Sequence, residues 1–600
     1  MYLHHSDDDC LFAGISQGFM PGRFALDHVN STIVQGGAAR DPQRAAAGLD
    51  GFDMVWAITR DSLNAQLEWL QMDNILPAEV RIGDLQADGL RIGGDGADSA
   101  TIAPPLLDFT TRVPNTVRLT LFFTGGTVSF YSGFGPSAPV VKQSLVGWKL
   151  AFTVRLRLAE LDEARLAGGA TLPAAIRTRL AAVDRSQFSI GQICLDFGAS
   201  DLVNYDARGS NLPTASGFLK QNFATALGQW LAGHDGPANP FVLGYPVTRR
   251  WPSDDSTAAF QPTAANLSTR APAHAEGLPA GMGTLNFLLL TGQRRMTDSP
   301  ALYAPSAGSF AHALVARAGV DAAGLIARHV FLQRYLKPLL VEPLQAAINA
   351  LPDYLHARMD RWRDMHSRDI VNTKTGVAAD LRNGLRAVFV PTPTGWIYSD
   401  HVKLAWHETG SNSHDRISEQ LLQYTIDLST QPDASGQARL TIDVKGALMR
   451  LERDQVNQDF PFKHDVYMGK GWARVTQDWA IRLQLLPDAD GRLTLAREAA
   501  LQAPLEESGS GGVYHLPALF AELFNLQTIV DDWRGNSAGM DALERTVIDG
   551  LVAASGPVFD AVMMPVVMPA CDRYACQDIQ LGAGGDIEID FRCVSARPRH

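Results

Sequence analysis

The sequence predicts an elongated α+β protein: two units of long, curled antiparallel β-sheet, each wrapped on long α-helices. Three observations lead to this prediction. Segments of up to eleven residues alternate between apolar and polar residues, which is typical of strands with one buried face. Strand follows strand through short turns, which favours antiparallel pairing because parallel strands need a crossover connection. Apolar stripes with helical spacing recur in the same order in both halves of the chain.

The clearest predicted strand covers residues 148–158, where apolar residues occupy every second position. At about 3.3 Å per residue it would span roughly 35 Å, which is long for a globular protein. Further strands are predicted at residues 51–58, 117–123, 422–428, 440–444 and 473–485.

Helical spacing of apolar residues predicts helices at 62–73, 218–231, 325–350 and 543–551. Ser62 is suited to cap the first of them. Pro338 and Pro343 should kink or split the third, because proline removes a backbone donor and clashes with the preceding turn. Residues 252–284 are rich in Pro, Ala, Ser and Thr and predict a long loop.

The two halves share an order of elements, which predicts a duplicated architecture. Each half opens with a helix that ends near a proline, continues with long strands, and closes with a second helix and an apolar strand that contains proline. We therefore divide the chain into a partly disordered N-terminal segment (1–48), a first lobe (49–310) and a second lobe (311–600). Large β domains allow two such units in 600 residues, although about 150 residues per domain would also allow four.

The composition excludes several classes of protein. A hydrophobic fraction of 46% with 19% charged residues indicates a large core and excludes a disordered chain. A net charge of −12 argues against general nucleic-acid binding, which needs a basic surface. Five cysteines in 600 residues make no disulfide framework and favour reduced thiols. The sequence contains no phosphate-binding glycine motif, and we predict neither a cofactor nor a metal site.

We expect a soluble protein whose membrane contact is at most peripheral. Residues 1–24 lack a basic region followed by an apolar one, and they contain Asp7, Asp8 and Asp9. The most apolar stretch, 551–570, contains Asp560 and three prolines and does not suit a membrane span. These features favour the cytoplasm or export by a non-classical route, and they leave the compartment open.

Two motifs suggest chemistry, and neither makes the protein an enzyme. Gly14 to Gly18 fits G-x-S-x-G with Ser16 as the nucleophile, but that motif needs a preceding strand and a following helix in a parallel sheet. His407, Glu408 and His414 lie close together without the i, i+4 spacing of a zinc helix. We interpret this second cluster as a polar loop between strands.

Six segments resemble a known family. They are GFDMVWAI (51–58), NPFVLGYPV (239–247), FQPTAANLS (260–268), TLNFLLLTG (284–292), RHVFLQRYLKPLL (328–340) and GGDIEIDFR (584–592). In this order they resemble the bacterial orf-X-type accessory proteins encoded beside clostridial neurotoxins, a branch of the tubular lipid-binding (TULIP) superfamily. The resemblance covers about residues 40–600. It implies long curled sheets on helices with an apolar seam that admits acyl chains, and it supplies no catalytic or headgroup residues.

The sequence therefore predicts a non-enzymatic lipid-binding protein that holds an acyl chain or phospholipid in a hydrophobic groove, in the role of a toxin accessory protein. A helix about 10 Å wide cannot cover a much wider sheet, so a rolled sheet leaves an apolar groove. The groove candidates are Trp148, Leu150, Phe152, Val154, Tyr424, Ile426, Trp479 and Ile481. The alternative to an open groove is that side chains fill all the space between sheet and helix, because protein interiors are usually close-packed.

The headgroup candidates are Arg249, Arg250 and Trp251, because two guanidinium groups beside an indole suit a phosphate at a membrane surface. Arg294 and Arg295 form a similar, weaker candidate. The expected partners are a lipid or phospholipid and other proteins of the gene cluster, with no nucleic acid. Two alternatives stay open: a rigid adaptor of a toxin or secreted complex without lipid cargo, and a serine hydrolase acting at Ser16.

Overall fold

The computed structural model describes residues 49–338, 372–373, 390–513 and 566–594, with gaps inside these ranges such as 162–173 and 272–282. The described strands of the first half are β1 (Met54–Thr59), β2 (Glu79–Val80), β3 (Leu90–Gly93), β4 (Ala100–Thr101), β5 (Leu106–Asp108), β6 (Thr116–Phe122), β7 (Thr127–Tyr131), β8 (Val140–Ser144), β9 (Lys149–Glu160), β10 (Phe188–Asp196), β11 (Val242–Arg249), β12 (Pro262–Arg270) and β13 (Thr284–Thr291).

The described strands of the second half are β14 (Ala322–Ile326), β15 (Asn372–Thr373), β16 (Val390–Pro391), β17 (Gly395–Glu408), β18 (Asn412–Pro432), β19 (Ala438–Asp459), β20 (Asp465–Pro487), β21 (Leu493–Arg497), β22 (Leu501–Gln502), β23 (Glu506–Val513), β24 (Val566–Val567), β25 (Arg573–Leu581) and β26 (Ile587–Val594). The described helices are α1 (Arg60–Met72), α2 (Ala174–Ala181), α3 (Gly217–Ala232), α4 (Pro300–Tyr303), a 3-10 turn (Met296–Asp298) and a π-helix (His329–Leu336).

Three large sheets organise the described strands, and the pairings within them are antiparallel, which confirms the prediction from sequence. The central sheet has the order β12-β13-β1-β14-β26-β25. The wrapped sheet has the order β24-β11-β10-β9-β6-β5. The long sheet runs β15-β17-β18-β19-β20-β21, with β16 on β17 and with β22 and β23 on β20. Two small sheets, β2-β4 and β3-β7-β8, complete the set.

The central sheet is symmetrical about its middle pair. β1 and β14 lie side by side, the hairpin of β12 and β13 flanks β1, and the hairpin of β25 and β26 flanks β14. Strands from before and after residue 310 therefore share one sheet. The duplicated order of elements and the division into two lobes stay predictions.

A short repeat marks the two central strands. Gly51-Phe52-Asp53 precedes β1, and Gly319-Val320-Asp321 precedes β14. Both first glycines have positive φ angles, 87° and 82°, which only glycine adopts without strain. Trp56 lies opposite Gly324 at the centre of the pair, where a Cβ atom would come within 3.1 Å of the indole. The glycine thus makes room for the tryptophan ring.

The wrapped sheet curls around α1, because α1 contacts both β5 at one edge and β11 near the other. Thr59 caps the helix by accepting a hydrogen bond from the Ser62 N–H at 3.3 Å. The Asn64 amide exchanges two hydrogen bonds with the backbone of Leu107 on β5, at 2.7 and 3.1 Å. The helix predicted at 62–73 and the curled antiparallel sheet are both confirmed, while the elongated two-unit arrangement stays a prediction.

Helix α3 covers a second part of the wrapped sheet, and its position confirms the helix predicted at 218–231. Phe223 is fully buried, and its ring lies 5.2 Å from that of Trp148 and 5.6 Å from that of Phe123. Strand β9 shows the expected alternation, since Leu150, Phe152 and Val154 are buried, which confirms the strand predicted at 148–158.

Two sequence predictions are wrong in part. Residues 262–270 form strand β12 instead of a loop, because their backbone pairs with β13 while Ser268 bonds to the Gly308 carbonyl at 3.0 Å. Leu325 and Ile326 belong to β14 instead of a helix, because β1 and β26 pair with them on both sides. The helix predicted at 543–551 lies outside the described residues.

The cysteines also differ from the expectation of reduced thiols. Cys571 and Cys593 form a disulfide, with their Cα atoms 5.7 Å apart. The β25–β26 hairpin brings them together, since Tyr574 is the register partner of Cys593. Cys576, which is nearer to Cys571 in sequence, is a buried free thiol.

We expect Phe223→Ala to lower the free energy of unfolding by about 3–5 kcal/mol, because it removes a buried ring from between two aromatic neighbours. Denaturant titration followed by tryptophan fluorescence would measure the change. Phe122→Ala is the matched control, since Phe122 is 39% exposed and its truncation should cost much less. Equal losses in the two variants would contradict the packing described for α3.

Candidate functional site

The register of the long sheet brings four groove candidates together. Ile426 on β18 and Ile481 on β20 both pair with Val444 of β19, and so lie in one row across the sheet. Tyr424 and Trp479 pair in the same way with Gly446, in the next row. Because side chains alternate along a strand, these positions share one face of the sheet. Periodicity predicted the strands, but only the register makes the positions neighbours.

The apolar face of the long sheet is buried where its side chains are described. The buried members are Trp396, Ile426, Leu428, Leu440, Ile442, Leu483 and Leu485. Strands β18, β19 and β20 of this sheet contact β25 of the central sheet. Strands β18, β19 and β20 have 21, 22 and 23 residues, so each spans roughly 70 Å at about 3.3 Å per residue. The nine residues of β25 span roughly 30 Å and match less than half of that length.

The other four groove candidates lie in a different sheet. Trp148 immediately precedes β9, and Leu150, Phe152 and Val154 lie on that strand of the wrapped sheet, where all four are buried. Helix α3 packs on this region through the contact between Phe223 and Trp148. The structure thus separates the eight candidates into two groups of four, and their role in ligand binding stays a prediction.

Two of the three headgroup candidates make contacts within the protein. Arg249 ends β11 and donates to the Gln261 side-chain oxygen at 2.9 Å. Arg250 donates to the Phe188 carbonyl at 3.2 Å and lies 3.7 Å from Glu160 across an exposed ion pair. Trp251 lies outside the described residues. Their role as a headgroup site stays a prediction.

A polar cluster surrounds Asp53 at one end of the central sheet, and it contains Arg294, the weaker headgroup candidate from sequence, together with residues that the sequence did not predict. The Thr291 N–H and hydroxyl donate to Asp53 Oδ2 at 2.7 and 3.2 Å. Arg294 Nη1 donates to Asp53 Oδ1, and His329 Nε2 lies 2.7 Å from the same oxygen. Arg334 Nη1 lies 3.7 Å from Asp53 Oδ2 and donates to the Thr291 hydroxyl at 2.6 Å. One buried carboxylate therefore holds three cationic or titratable groups together.

Strand direction explains why these residues meet. Strands β13 and β14 both run antiparallel to β1, so the residues after their C-terminal ends lie beside the residue that precedes β1. Thr291 is the last residue of β13 and Arg294 follows that strand, whereas His329 and Arg334 follow β14. Asp53 precedes β1. The sequence signal that could have found Asp53 is the repeated Gly-x-Asp before the two central strands.

The environment of Asp53 keeps its carboxyl group ionised. Burial raises the pKa of Asp53, but hydrogen bonds from His329 and from the Thr291 N–H, together with the charge of Arg294, more than offset burial. The pKa therefore lies below the usual 3.8. The side chain of Asp53 is fully buried, while those of Arg294 and Arg334 are each 31% exposed and that of His329 is 48% exposed.

The remaining sequence motifs do not form a site in the described part of the chain. Ser16 lies outside the described residues. His407 and Glu408 end β17 while His414 lies on β18, so the prediction of a polar loop is wrong for these residues. They pair across a hairpin, in which Glu408 is the register partner of His414. No described helix has both the length and the apolar character to cross a membrane.

Comparison with known proteins gives a likeness in structure alone. No protein-family model matches the chain, and no curated protein sequence matches it. The crystal structure of P47 of Clostridium botulinum E1 is similar at 11% identity and a TM-score of 0.44, with 91% of this chain and 99% of that chain covered. P47 from Clostridium botulinum A2 is similar at 8% identity and a TM-score of 0.38, with 92% and 99% covered.

A lipopolysaccharide binding protein is similar at 11% identity and a TM-score of 0.25, with 91% of this chain and 100% of that chain covered. These neighbours are TULIP-like, and P47 is of the orf-X type, which is the group that the sequence resembles.

We expect Asp53→Asn to lower the free energy of unfolding by about 1–3 kcal/mol at pH 7, because a neutral amide replaces the buried carboxylate that accepts hydrogen bonds from Thr291 and Arg294. Folding lowers the pKa of Asp53, so the ionised carboxylate stabilises the fold above its unfolded-state pKa. That stabilisation is lost as the pH falls through the lower folded-state pKa. The difference between variant and wild type should therefore shrink below about pH 4.

Denaturant titrations between pH 7 and pH 3 would measure this dependence. Asp61→Asn is the control, because Asp61 is 69% exposed and its ion pair with Arg60 lies at the surface. Its effect should stay within about 0.5 kcal/mol at every pH. A deficit of Asp53→Asn that stayed constant down to pH 3 would contradict the assignment of an ionised, stabilising carboxylate.

Proposed function

We propose that the protein is a non-enzymatic lipid-binding protein that holds the acyl chain of a lipid or phospholipid against the apolar face of the long sheet. The observation that carries the proposal is the register, which aligns Tyr424, Ile426, Trp479 and Ile481 in adjacent rows. These rows belong to the same face of the long sheet as the buried residues Leu428, Ile442 and Leu483. An apolar surface with aromatic residues is suited to a flexible hydrocarbon chain.

The row formed by Tyr424, Gly446 and Trp479 supports the same site. Tyr398 of β17 pairs with Tyr424, so the row holds three aromatic residues and one glycine across four strands. A glycine between larger residues lowers the sheet surface at that point, because it has no side chain. A chain of methylene groups fits such a depression, and each buried methylene favours binding by about 0.8 kcal/mol.

The apolar face has a clear limit along β19. Its even-numbered positions are Leu440, Ile442, Val444, Gly446 and Leu448, and they are followed by Arg450, Glu452 and Asp454. On this face of β19, apolar residues therefore occupy about the first half of the strand, and charged residues occupy the three positions that follow. A face of this kind suits an amphipathic ligand, whose acyl chain and polar headgroup need different surroundings.

The two-lobed arrangement is part of the same proposal. The symmetrical order of the central sheet supports two equivalent halves that meet at β1 and β14. Five of the six strands of the wrapped sheet come from the first half and β24 comes from the second, whereas the described strands of the long sheet all come from the second half. We assign the acyl-binding face to the second half, because all four candidates of the first half are buried and Trp148 packs against Phe223 of helix α3. Ile426, which is also buried, marks the end of the proposed face that lies against the core.

We expect Gly446→Leu to reduce uptake of a fluorescent acyl probe at least fivefold, because the new side chain fills the proposed depression between Tyr424 and Trp479. Probe titration would measure affinity, and native mass spectrometry of the purified wild-type protein would detect co-purified lipid. Ala447→Leu is the matched control, because it adds a leucine at the next position of β19, on the opposite face.

The control should bind the probe like the wild type. A wild-type protein that carries no lipid and takes up no probe would overturn the proposal. If Gly446→Leu and Ala447→Leu reduced uptake of the probe equally, the acyl-binding site would not lie on this face.

A further inference from the structure

We propose that Arg294, Arg334 and His329 form a binding site for a phosphate-class oxyanion, and that the buried carboxylate of Asp53 holds them in place. The site lies at the end of the central sheet where β13 and β14 finish. It does not depend on the acyl-binding face of the long sheet.

The carboxylate of Asp53 is fully occupied within the protein. Its two oxygens receive hydrogen bonds from the Thr291 N–H and hydroxyl and from Arg294, and they contact His329. Arg334 reaches only to 3.7 Å and directs its Nη1 donor to the Thr291 hydroxyl. Asp53 therefore positions the cations but lacks the charge to neutralise both arginines.

The cations keep donors for a ligand. A guanidinium group carries five N–H donors. Within the described residues, Arg294 uses two of them, on Asp53 and on the Gly51 carbonyl, and Arg334 uses one. Both side chains are 31% exposed, and that of His329 is 48% exposed. Two guanidinium groups held beside the same carboxylate lie near each other and together suit a phosphate, whose oxygens accept paired N–H donors.

The backbone is shaped to admit Arg334. Gly292 has a φ angle of +66°, and a Cβ atom there would lie 2.7 Å from Arg334 Nη1. Glycine thus lets the guanidinium group lie against the chain between Thr291 and Arg294. A larger residue at this position would push Arg334 away from the cluster.

The internal repeat carries different residue types at the positions of His329 and Arg334. When Gly51-Phe52-Asp53 is aligned with Gly319-Val320-Asp321, His329 and Arg334 correspond to Asp61 and Gln66. The second repeat therefore carries two basic or titratable residues where the first carries an acid and an amide. This difference concentrates positive charge at one end of the central pair, in a chain whose net charge is −12.

A phosphate group could reach the site from a lipid headgroup or from a soluble molecule, and two probes separate these sources. Inorganic pyrophosphate tests the soluble source by calorimetry at low ionic strength. Phosphatidylcholine vesicles with and without phosphatidic acid test the headgroup source by co-sedimentation. We expect the wild type to bind at least one of the two phosphate probes. Binding to vesicles that requires phosphatidic acid would assign the site to a lipid headgroup, and binding to pyrophosphate alone would assign it to a soluble phosphate.

Arg334→Gln should weaken that binding at least tenfold, and Arg294→Gln with Arg334→Gln should abolish it. Arg334→Gln decides the test if the double variant fails to fold, because Arg334 makes the longer contact with Asp53. Arg118→Gln is the control, since Arg118 is 26% exposed and pairs with Asp108 and Asp206 elsewhere on the protein. It should bind like the wild type.

Wild-type protein that binds neither phosphate probe would overturn the proposal, and so would unchanged binding in Arg334→Gln. An equal loss in Arg118→Gln would also overturn it, because the effect would then follow total charge. Uptake of the acyl probe should be unchanged in Arg334→Gln. Failure of the oxyanion site is therefore distinguishable from failure of the acyl-binding face.

Discussion

The antiparallel pairing of β1 with β14 is the contact on which the described fold depends. It joins segments far apart in sequence: the Thr59 hydroxyl donates to the Asp321 carbonyl across 262 residues, at 3.0 Å. All residues of both strands are buried. Trp56 lies over Gly324 at the centre of the pair and stacks on Phe591 of the next strand but one, with ring centroids 4.5 Å apart. Each half thus supplies part of one shared core.

The pairing of β1 with β14 also determines where the polar cluster around Asp53 forms. Because β13 and β14 flank β1 in the opposite direction, residues from two distant parts of the chain surround Asp53. In the long sheet, by contrast, the register of successive antiparallel strands brings Tyr424 beside Trp479 through Gly446. The polar cluster therefore follows from the symmetry of the two halves, and the apolar face follows from extended strands within one half.

Sequence periodicity predicted the local structure well where a strand or helix buries one face and exposes the other. Alternation predicted β9, and helical spacing predicted α1 and α3. It failed where tertiary pairing decides the structure. Residues 262–270 are too polar to read as a strand but pair with β13, and Leu325 continues a helical stripe but lies between β1 and β26. The disulfide of Cys571 with Cys593 also depends on a hairpin that cysteine spacing does not reveal.

The sequence by itself determined the class of architecture, the antiparallel strands and the residues that form their apolar faces, because these follow from the local alternation of side chains. Only the tertiary structure decided which faces meet, and so it placed Trp148 under α3 and aligned Ile426 with Ile481. It alone revealed Asp53, whose partners come from the ends of two other strands. The physical reason is that strand register and strand order depend on contacts between distant segments, which no local pattern encodes.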